Sequence, residues 1–172
     1  KFGEKEIQDY IRVQTQRGIS SEDAEFIATC LSNYLKLGIG NLPGKVYTEI
    51  PYIYRIDENL ALTGIIDRAV IDNAGTVIDF KTNAHITDDL LRSYEFQVKA
   101  YALGVNQIFG IPVSRAVLVS LQEGKLYEID VSKQSLDSCK GIIQDAIMEI
   151  QSNGFSAEKY SKSLSCQYCV YK

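Results

Sequence analysis

The chain has 172 residues, 45% of them hydrophobic and 23% charged, a composition typical of one globular domain with a buried core. No apolar run approaches the roughly 20 residues that a membrane-spanning helix needs, so we predict no membrane contact. The net charge of −4 excludes a basic, freestanding nucleic-acid binder, although it permits an enzyme whose bound cations supply local positive charge.

The ends of the chain and its cysteines set its expected context. Residues 1–172 show no internal boundary and begin without a methionine, so we expect a single domain that is part of a longer protein. The four cysteines do not form a pattern typical of disulfides. Cys30 and Cys139 fall on apolar helical stripes, which predicts that both are buried. Reduced thiols favour a cytoplasmic location.

The N-terminal third predicts two helices and a strand. Apolar side chains recur at helical spacing over residues 6–16 and again over residues 20–37, where a serine opens the second helix. Polarity then alternates over residues 46–54, which predicts a strand. Pro51 indicates that this strand lies at an edge of the sheet or bends, because proline cannot donate to a ladder.

The rest of the chain predicts further strands and two helices. The predicted strands cover 60–71, 77–82, 116–121 and 126–131, and the predicted helices cover 90–109 and 136–151. Helices therefore lead, a mostly antiparallel sheet forms the middle, and one helix interrupts the sheet before its last two strands. This order predicts an α/β or α+β fold.

Residues 64–82, GIIDRAVIDNAGTVIDFKT, predict a β-hairpin with three charged side chains on one face. We expect residues 73–75 to form a three-residue loop whose glycine adopts the left-handed conformation. This loop would place Asp67 opposite Lys81, and Asp79 would share the face of Lys81. Burying these charges is costly unless they bind something, which predicts a metal site. A solvated face of an amphipathic sheet is the alternative interpretation.

The helix predicted at 90–109 contributes two further polar side chains. Gln97 and Tyr101 lie one turn apart and therefore on one face. By themselves they would indicate a half-exposed helix edge. Together with the hairpin they complete an ordered set of motifs, D, then D-x-K, then Q-x-x-x-Y.

This ordered set resembles the PD-(D/E)XK nuclease superfamily, specifically the RecB-like branch at the C-termini of AddA- and RecB-type helicase–nucleases. The motifs that carry the resemblance are GIIDR (64–68), VIDFKT (77–82) and FQVKAYALGV (96–105), with weaker support from Glu49-Ile-Pro-Tyr and from residues 111–131. The resemblance covers residues 46–131. It implies a restriction-endonuclease-like core, in which helices flank a mixed central sheet.

The resemblance implies a role for each motif residue. Asp67, Asp79 and the backbone carbonyl of Phe80 would bind Mg²⁺ or Mn²⁺, ions that prefer oxygen ligands and keep bound water. Lys81 would orient the attacking water and stabilise the transition state. These residues would be the catalytic centre.

Supporting residues follow from the same resemblance. Gln97 and Tyr101 would brace the motif and the DNA backbone. RecB-like members usually carry a metal-binding histidine on an N-terminal helix, but the only histidine here is His85, after the D-x-K strand. We predict that His85 is a loop residue near the substrate rather than that ligand. Either the helix bearing the usual histidine precedes Lys1, or this copy lacks it.

The C-terminal cysteines resemble part of an iron–sulfur site. Some relatives hold a cluster with one upstream cysteine and three near the C-terminus. Here Cys166 and Cys169 supply only two terminal thiolates, and Cys30 lies on an apolar face. We therefore do not expect an intact cluster in this chain.

The implied function is a Mg²⁺- or Mn²⁺-dependent deoxyribonuclease, an exonuclease rather than an endonuclease. It would act on DNA as the nuclease module of a helicase–nuclease that processes DNA ends in recombination and repair, with the helicase in the same polypeptide or in a partner subunit. The second hypothesis is an inactive nuclease-fold module that guides DNA or contacts subunits. The third is a regulatory α+β domain with an incidental acidic pair. The acidic net charge and the missing histidine predict weak cleavage by residues 1–172 alone.

Overall fold

A computed structural model describes residues 3–58 and 60–153, so the terminal pair Cys166 and Cys169 lies outside the described residues. Across these residues the chain forms four α-helices, five strands and a short 3₁₀ turn. In chain order they are α1 (Glu4–Gln16), α2 (Ser21–Leu37), the 3₁₀ turn (Ile39–Asn41), β1 (Lys45–Arg55), β2 (Ala61–Ile71), β3 (Gly75–Lys81), α3 (Asp88–Phe109), β4 (Val113–Ser120), β5 (Lys125–Ile129) and α4 (Lys133–Asn153).

The five strands form one mixed sheet in the order β1-β2-β3-β4-β5. Neighbouring strands are antiparallel except β3 and β4, which run parallel because α3 connects them. The predicted α/β class with a mixed central sheet is confirmed. Pro51 lies on β1 at the edge of the sheet, as predicted. Within the described ranges, no helix is both long enough and apolar enough to cross a membrane.

The sheet separates two apolar cores. The face beneath α3 and α4 packs Ala69, Val77 and Leu118 against helix residues that include Val98 and the buried Cys139. The opposite face packs a smaller cluster against α2 and the 3₁₀ turn, with Val70, Ile78, Val117, Val119 and Ile39 at its centre. Cys30 is buried on α2, so both cysteine predictions are confirmed.

The hairpin between β2 and β3 forms, but its register differs from the prediction by two residues. Ile71 pairs with Gly75, so the loop is residues 72–74 and Gly75 is the first residue of β3. Gly75 does not have a positive φ, and its backbone amide donates to Pro112 O at 2.8 Å. A Cβ there would lie 3.2 Å from Val105 Cγ1, which indicates that this glycine serves close packing. A shift of two residues preserves the side-chain faces.

Tyr52 of β1 fixes the position of α3 over the sheet. Its ring lies edge-on to the ring of Tyr101, with 5.8 Å between centroids. Glycines on either side make room for it: a Cβ on Gly104 would lie 2.6 Å from Tyr52 Cδ2, and a Cβ on Gly64 would lie 2.8 Å from Tyr52 Cε1. The helix that carries Gln97 therefore approaches the sheet closely.

We expect Gly104→Ala to lower the free energy of unfolding by about 1–3 kcal/mol, the usual cost of overpacking a core. Alanine's better helix propensity, worth about 1 kcal/mol, would only partly offset the clash with the buried ring of Tyr52. Urea unfolding measures the change. The matched control is Gly141→Ala on α4, where an added Cβ would meet no atom within 4 Å beyond the helix's own backbone and chain neighbours, and we expect a small gain in stability. Equal gains for both variants would contradict the tight docking of α3.

Candidate active site

Asp79 and Lys81 lie together at the end of β3 and face α3. The side chain of Asp79 is 1% exposed, and its Oδ2 lies 2.8 Å from Lys81 Nζ. Apart from this ion pair, no donor among the described residues makes a hydrogen bond to either carboxylate oxygen. Burial raises the pKa of Asp79, the hydrogen bond and charge of Lys81 lower it in part, and the nearby charge of Asp67 raises it again. This carboxylate is therefore buried with less compensation than its charge requires.

Asp67 lies where β2 and β3 separate. The backbone ladder ends at the pair Arg68 and Ile78. At the residue before Arg68, one position further from the hairpin loop, Asp67 Oδ2 accepts a hydrogen bond from the backbone amide of Phe80 at 3.0 Å. The carboxylate thus replaces the main-chain partner that Phe80 would have had if the ladder continued.

The backbone carbonyl of Phe80 faces the same opening. Lys81 O accepts from Leu121 N at 2.9 Å on the β4 side of β3. Because main-chain groups alternate between the two edges of a strand, those of Phe80 point towards β2, where Asp67 lies. The structure therefore brings Asp67, Asp79 and Phe80 O to one end of the hairpin, as the sequence predicted.

The ring of Phe80 anchors the motif on the other face of the sheet. It packs 6.1 Å from the ring of Tyr34 on α2, between centroids. The guanidinium of Arg68 lies 5.4 Å from the Phe80 ring and donates to Tyr34 Oη at 2.7 Å. With Phe80 held there, its neighbours Asp79 and Lys81 must point towards α3.

A hydrogen-bond chain joins Lys81 to α3. Lys81 Nζ donates to Gln97 Oε1 at 2.9 Å, and Gln97 Nε2 donates to Tyr101 Oη at 2.9 Å. Tyr101 is 7% exposed, and burial, followed by the charges of Asp79 and Asp67, raises its pKa to about 12. The phenol therefore stays neutral at physiological pH. Gln97 and Tyr101 contact the motif as predicted.

Sequence reasoning missed Tyr94. The Lys81 ammonium lies 4.5 Å from the centroid of the Tyr94 ring, within the range of a cation–π interaction. Tyr94 Oη also donates to Asn83 Oδ1 at 3.0 Å, which ties the loop after β3 to α3. The signal was present, because Tyr94 precedes Gln97 by three residues and so shares its helix face.

A second contact holds the same loop against the β4–β5 turn. His85 Nδ1 lies 2.9 Å from Glu123 Oε1, and Tyr127 Oη donates to Glu123 Oε2 at 3.0 Å. Because a carboxylate only accepts, the shared proton belongs to Nδ1, and Nε2 remains available at a side chain that is 71% exposed. No contact joins His85 to the carboxylates of Asp67 and Asp79 in the described part of the chain.

Glu123→Gln should weaken the fold in a pH-dependent way. The hydrogen bond from His85, followed by those from Tyr127 and Ser120 and the charge of Lys125, lowers the pKa of Glu123 to about 2 from an ordinary value of 4.5, although burial opposes the change. Because the pKa of Glu123 is lower in the folded than in the unfolded protein, its ionised carboxylate stabilises the fold at pH values above the unfolded-state pKa. This contribution is lost as the pH falls from 4.5 towards 2.

Thermal unfolding of wild type and Glu123→Gln across this range measures the effect. We expect the largest difference in melting temperature above pH 4.5 and a shrinking difference below it. Glu25→Gln, at an exposed position on α2, is the control and should show no such trend. A difference that does not change with pH would contradict the assignment.

The oxygen donors at the end of the hairpin fit a hard divalent cation. Asp79 supplies buried oxygens without sufficient compensation, Asp67 keeps Oδ1 free of hydrogen bonds from described residues, and Phe80 adds a carbonyl. Within residues 3–58 and 60–153 no third His, Cys, Asp or Glu side chain joins them. A site with so few protein ligands, all of them oxygens, fits Mg²⁺, because Mg²⁺ keeps several bound waters. It does not fit Zn²⁺ as well, because Zn²⁺ takes nitrogen and sulfur ligands.

Comparison with known proteins agrees with this geometry. The sequence profile of the PD-(D/E)XK nuclease superfamily matches residues 4–172. An ATP-dependent helicase/nuclease subunit of Ligilactobacillus salivarius (strain UCC118) is 31% identical over 72 residues, which is 41% of this chain. The match spans only 6% of the length of that relative.

Two solved structures share the fold. A candidate exonuclease from Eubacterium rectale has a TM-score of 0.57 and 14% identity over 97% of this chain and 75% of its own. The protein SSO0001 has a TM-score of 0.50 and 17% identity over 95% of this chain and 75% of its own. Identities this low show the fold alone, but the profile match spans nearly the whole sequence. The structure also brings the residues of the D, D-x-K and Q-x-x-x-Y motifs together at one end of the hairpin. The chain therefore belongs to the PD-(D/E)XK nuclease superfamily.

Proposed function

We propose that this domain hydrolyses phosphodiester bonds in DNA and depends on Mg²⁺ or Mn²⁺. The observation that carries the proposal is the buried carboxylate of Asp79, which has Lys81 at 2.8 Å and otherwise lacks donors among the described residues. A buried carboxylate with a single charged partner costs stability and is typical of sites that bind a cation. A regulatory domain with an incidental acidic pair would not need it.

The metal would be held by the side chains of Asp67 and Asp79 and the backbone carbonyl of Phe80. When bound, it would lower the pKa of a coordinated water and neutralise charge on the phosphate. Asp67 is already fixed for this role by its hydrogen bond from the Phe80 amide. Asp79 is fixed by its position near the end of β3 and by Lys81.

Lys81 would act on the phosphate or the attacking water. Its ammonium has three N–H groups, of which two are directed at Asp79 and Gln97 in the described residues. The third is available to a substrate oxygen, and the side chain is 17% exposed and so can be reached. Gln97 and the Tyr94 ring hold the ammonium in place, so little reorganisation is needed when charge develops.

We further propose that the domain is the nuclease module of a helicase–nuclease that processes DNA ends, and that exonucleolytic cleavage is its main activity. The similarity to a helicase/nuclease subunit supports this role. In that case the helicase lies in the same polypeptide or in a partner subunit, and supplies the DNA affinity that a net charge of −4 does not. The buried free thiols of Cys30 and Cys139 support a cytoplasmic location.

The test is cleavage of linear DNA labelled at one end, single- and double-stranded, with Mg²⁺, Mn²⁺ or EDTA. Closed circular DNA, which has no ends, separates an exonuclease from an endonuclease. We expect metal-dependent loss of the linear substrates, stronger with Mn²⁺, and none with EDTA or in Asp79→Asn. DNA binding without cleavage under any metal would instead favour the inactive scaffold. Cleavage that persists in EDTA would contradict the proposal.

A further inference from the structure

Glu49 stands opposite Asp67 at an irregular point of the β1–β2 ladder. The strands pair at Thr48 with Arg68 and again at Ile50 with Ile66, but Glu49 and Asp67 do not pair. Glu49 has a φ of 51°, the only positive φ at a non-glycine residue in the described part of the chain. We call this point the Glu49–Asp67 break.

At this break, the alternation of side chains between the two faces of the sheet is shifted by one residue in both strands. Ile66 and Ala69 are three residues apart on β2, yet both are buried in the core beneath α3. Side chains three residues apart on a regular strand would point to opposite faces. On β1, likewise, the ring of Tyr47 lies 4.9 Å from the ring of Phe109 of α3, between centroids and tilted by 54°, and Ile50 packs against the same core.

The break explains the direction of the Asp67 side chain. If β2 alternated regularly from Ala69, Asp67 would point at the core beneath α3, and Ile66 would lie on the opposite face. Instead Ile66 is buried in that core with 0% exposure, and Asp67 bonds the Phe80 amide at the gap between β2 and β3. The break therefore gives the core position to Ile66 and leaves Asp67 at the gap, where its carboxylate can accept from the Phe80 amide.

We propose that Glu49 is a positioning residue for Asp67, acting through its left-handed backbone conformation. The inference rests on the proposed function, in which Asp67 is a metal ligand. Such a conformation is costly for a residue with a Cβ and is retained only where the surroundings enforce it. Glu49 is exposed, and its carboxylate makes no hydrogen bond to a described residue, so we assign the effect to the backbone.

A set of substitutions separates the backbone from the carboxylate. Glycine and asparagine accept a positive φ, glutamine keeps the side-chain size without the charge, and valine, branched at Cβ, disfavours this conformation. We expect Glu49→Gly, Glu49→Asn and Glu49→Gln to resemble wild type, with Glu49→Gly melting at a higher temperature. Glu49→Val should lose the orientation of Asp67, and Glu49→Ala should fall between them. Thr48→Val, one residue earlier at an ordinary φ, is the matched control.

Two measurements report on Asp67 without relying on cleavage. Amide hydrogen exchange by NMR in metal-free protein reports on the bond from the Phe80 amide, and we expect exchange at least about tenfold faster in Glu49→Val. Calorimetric titration with Mn²⁺ should show binding weakened by about 10–100-fold, the usual effect of disturbing a group that orients a ligand. Thr48→Val should change neither.

The outcomes distinguish this inference from the proposed function. Equal losses in Glu49→Gly, Glu49→Gln and Glu49→Val would show that the carboxylate carries the effect and overturn the proposal. Unchanged Phe80 exchange in Glu49→Val and Glu49→Ala would overturn it as well. If wild type does not bind Mn²⁺, the proposed function fails, while the exchange rates still decide whether Glu49 orients Asp67. If Glu49→Val does not fold, Glu49→Ala supplies the graded comparison with Glu49→Gly.

Discussion

Asp79→Asn is expected to abolish Mn²⁺ binding and DNA cleavage while leaving the metal-free domain at least as stable as wild type. The substitution preserves the shape of a 1% exposed side chain and removes its charge. Burial raises the pKa of Asp79 in spite of Lys81, so the charged form opposes folding at neutral pH. Lys81 would keep its hydrogen bond to Gln97 and its contact with the Tyr94 ring.

Calorimetric titration and thermal unfolding measure both parts of this prediction. If Asp79 is a direct ligand, as proposed, its loss should exceed the about 10–100-fold loss of metal affinity that outer contacts produce. Asp130→Asn is the matched control, because this exposed carboxylate accepts from Ser132 N at 2.8 Å and lies outside the site. It should cost some stability and leave Mn²⁺ binding unchanged. Mn²⁺ affinity that survives in Asp79→Asn would refute the metal site.

Lys81→Met is expected to slow DNA cleavage by about 100-fold or more, the scale of losing one preorganised electrostatic contact. Metal binding should be unchanged or tighter, because the ammonium at 2.8 Å competes with a cation for Asp79 Oδ2. Methionine retains most of the apolar stem, which preserves packing near Tyr94. The variant would therefore separate metal binding from catalysis.

Single-turnover cleavage with saturating Mn²⁺ measures this rate, and calorimetry confirms that the metal is bound. Lys125→Met, at an exposed lysine on β5, controls for the loss of one positive charge and should cleave at the wild-type rate. Lys81→Arg should not restore activity, because a planar guanidinium does not fit the position of a compact ammonium. An unchanged cleavage rate in Lys81→Met would reject the role of Lys81.

Much of the fold was predictable because the local signals agree with the tertiary structure. Ser20 caps α2 by accepting from Asp23 N, and Gly38 ends it at a φ of 67°. The face shared by Gln97 and Tyr101 follows from helical spacing alone, and their hydrogen bond confirms it. In the same way, the two-residue period of a strand predicts that Asp79 and Lys81 lie on one face of the sheet.

The remaining features depend on contacts between distant parts of the chain. Gly75 looked like a turn residue, but its amide donates a hydrogen bond to Pro112 O beside β4, and it packs against Val105 of α3. Glutamate at 49 carries no signal for a positive φ, because the conformation is imposed by the strands rather than by its own preference. The bond between His85 and Glu123 joins residues that no periodicity relates.

The hairpin and α3 together carry the motif residues Asp67, Asp79, Lys81, Gln97 and Tyr101 in one uninterrupted stretch of sequence. Contacts between residues so close along the chain cost little loop entropy, so this unit can form early in folding and without waiting for distant strands. In evolutionary terms such a stretch is portable. One genetic exchange can carry the side chains of the proposed reactive centre into another polypeptide, where the new neighbours must cover its apolar faces and supply the strand that orients Asp67.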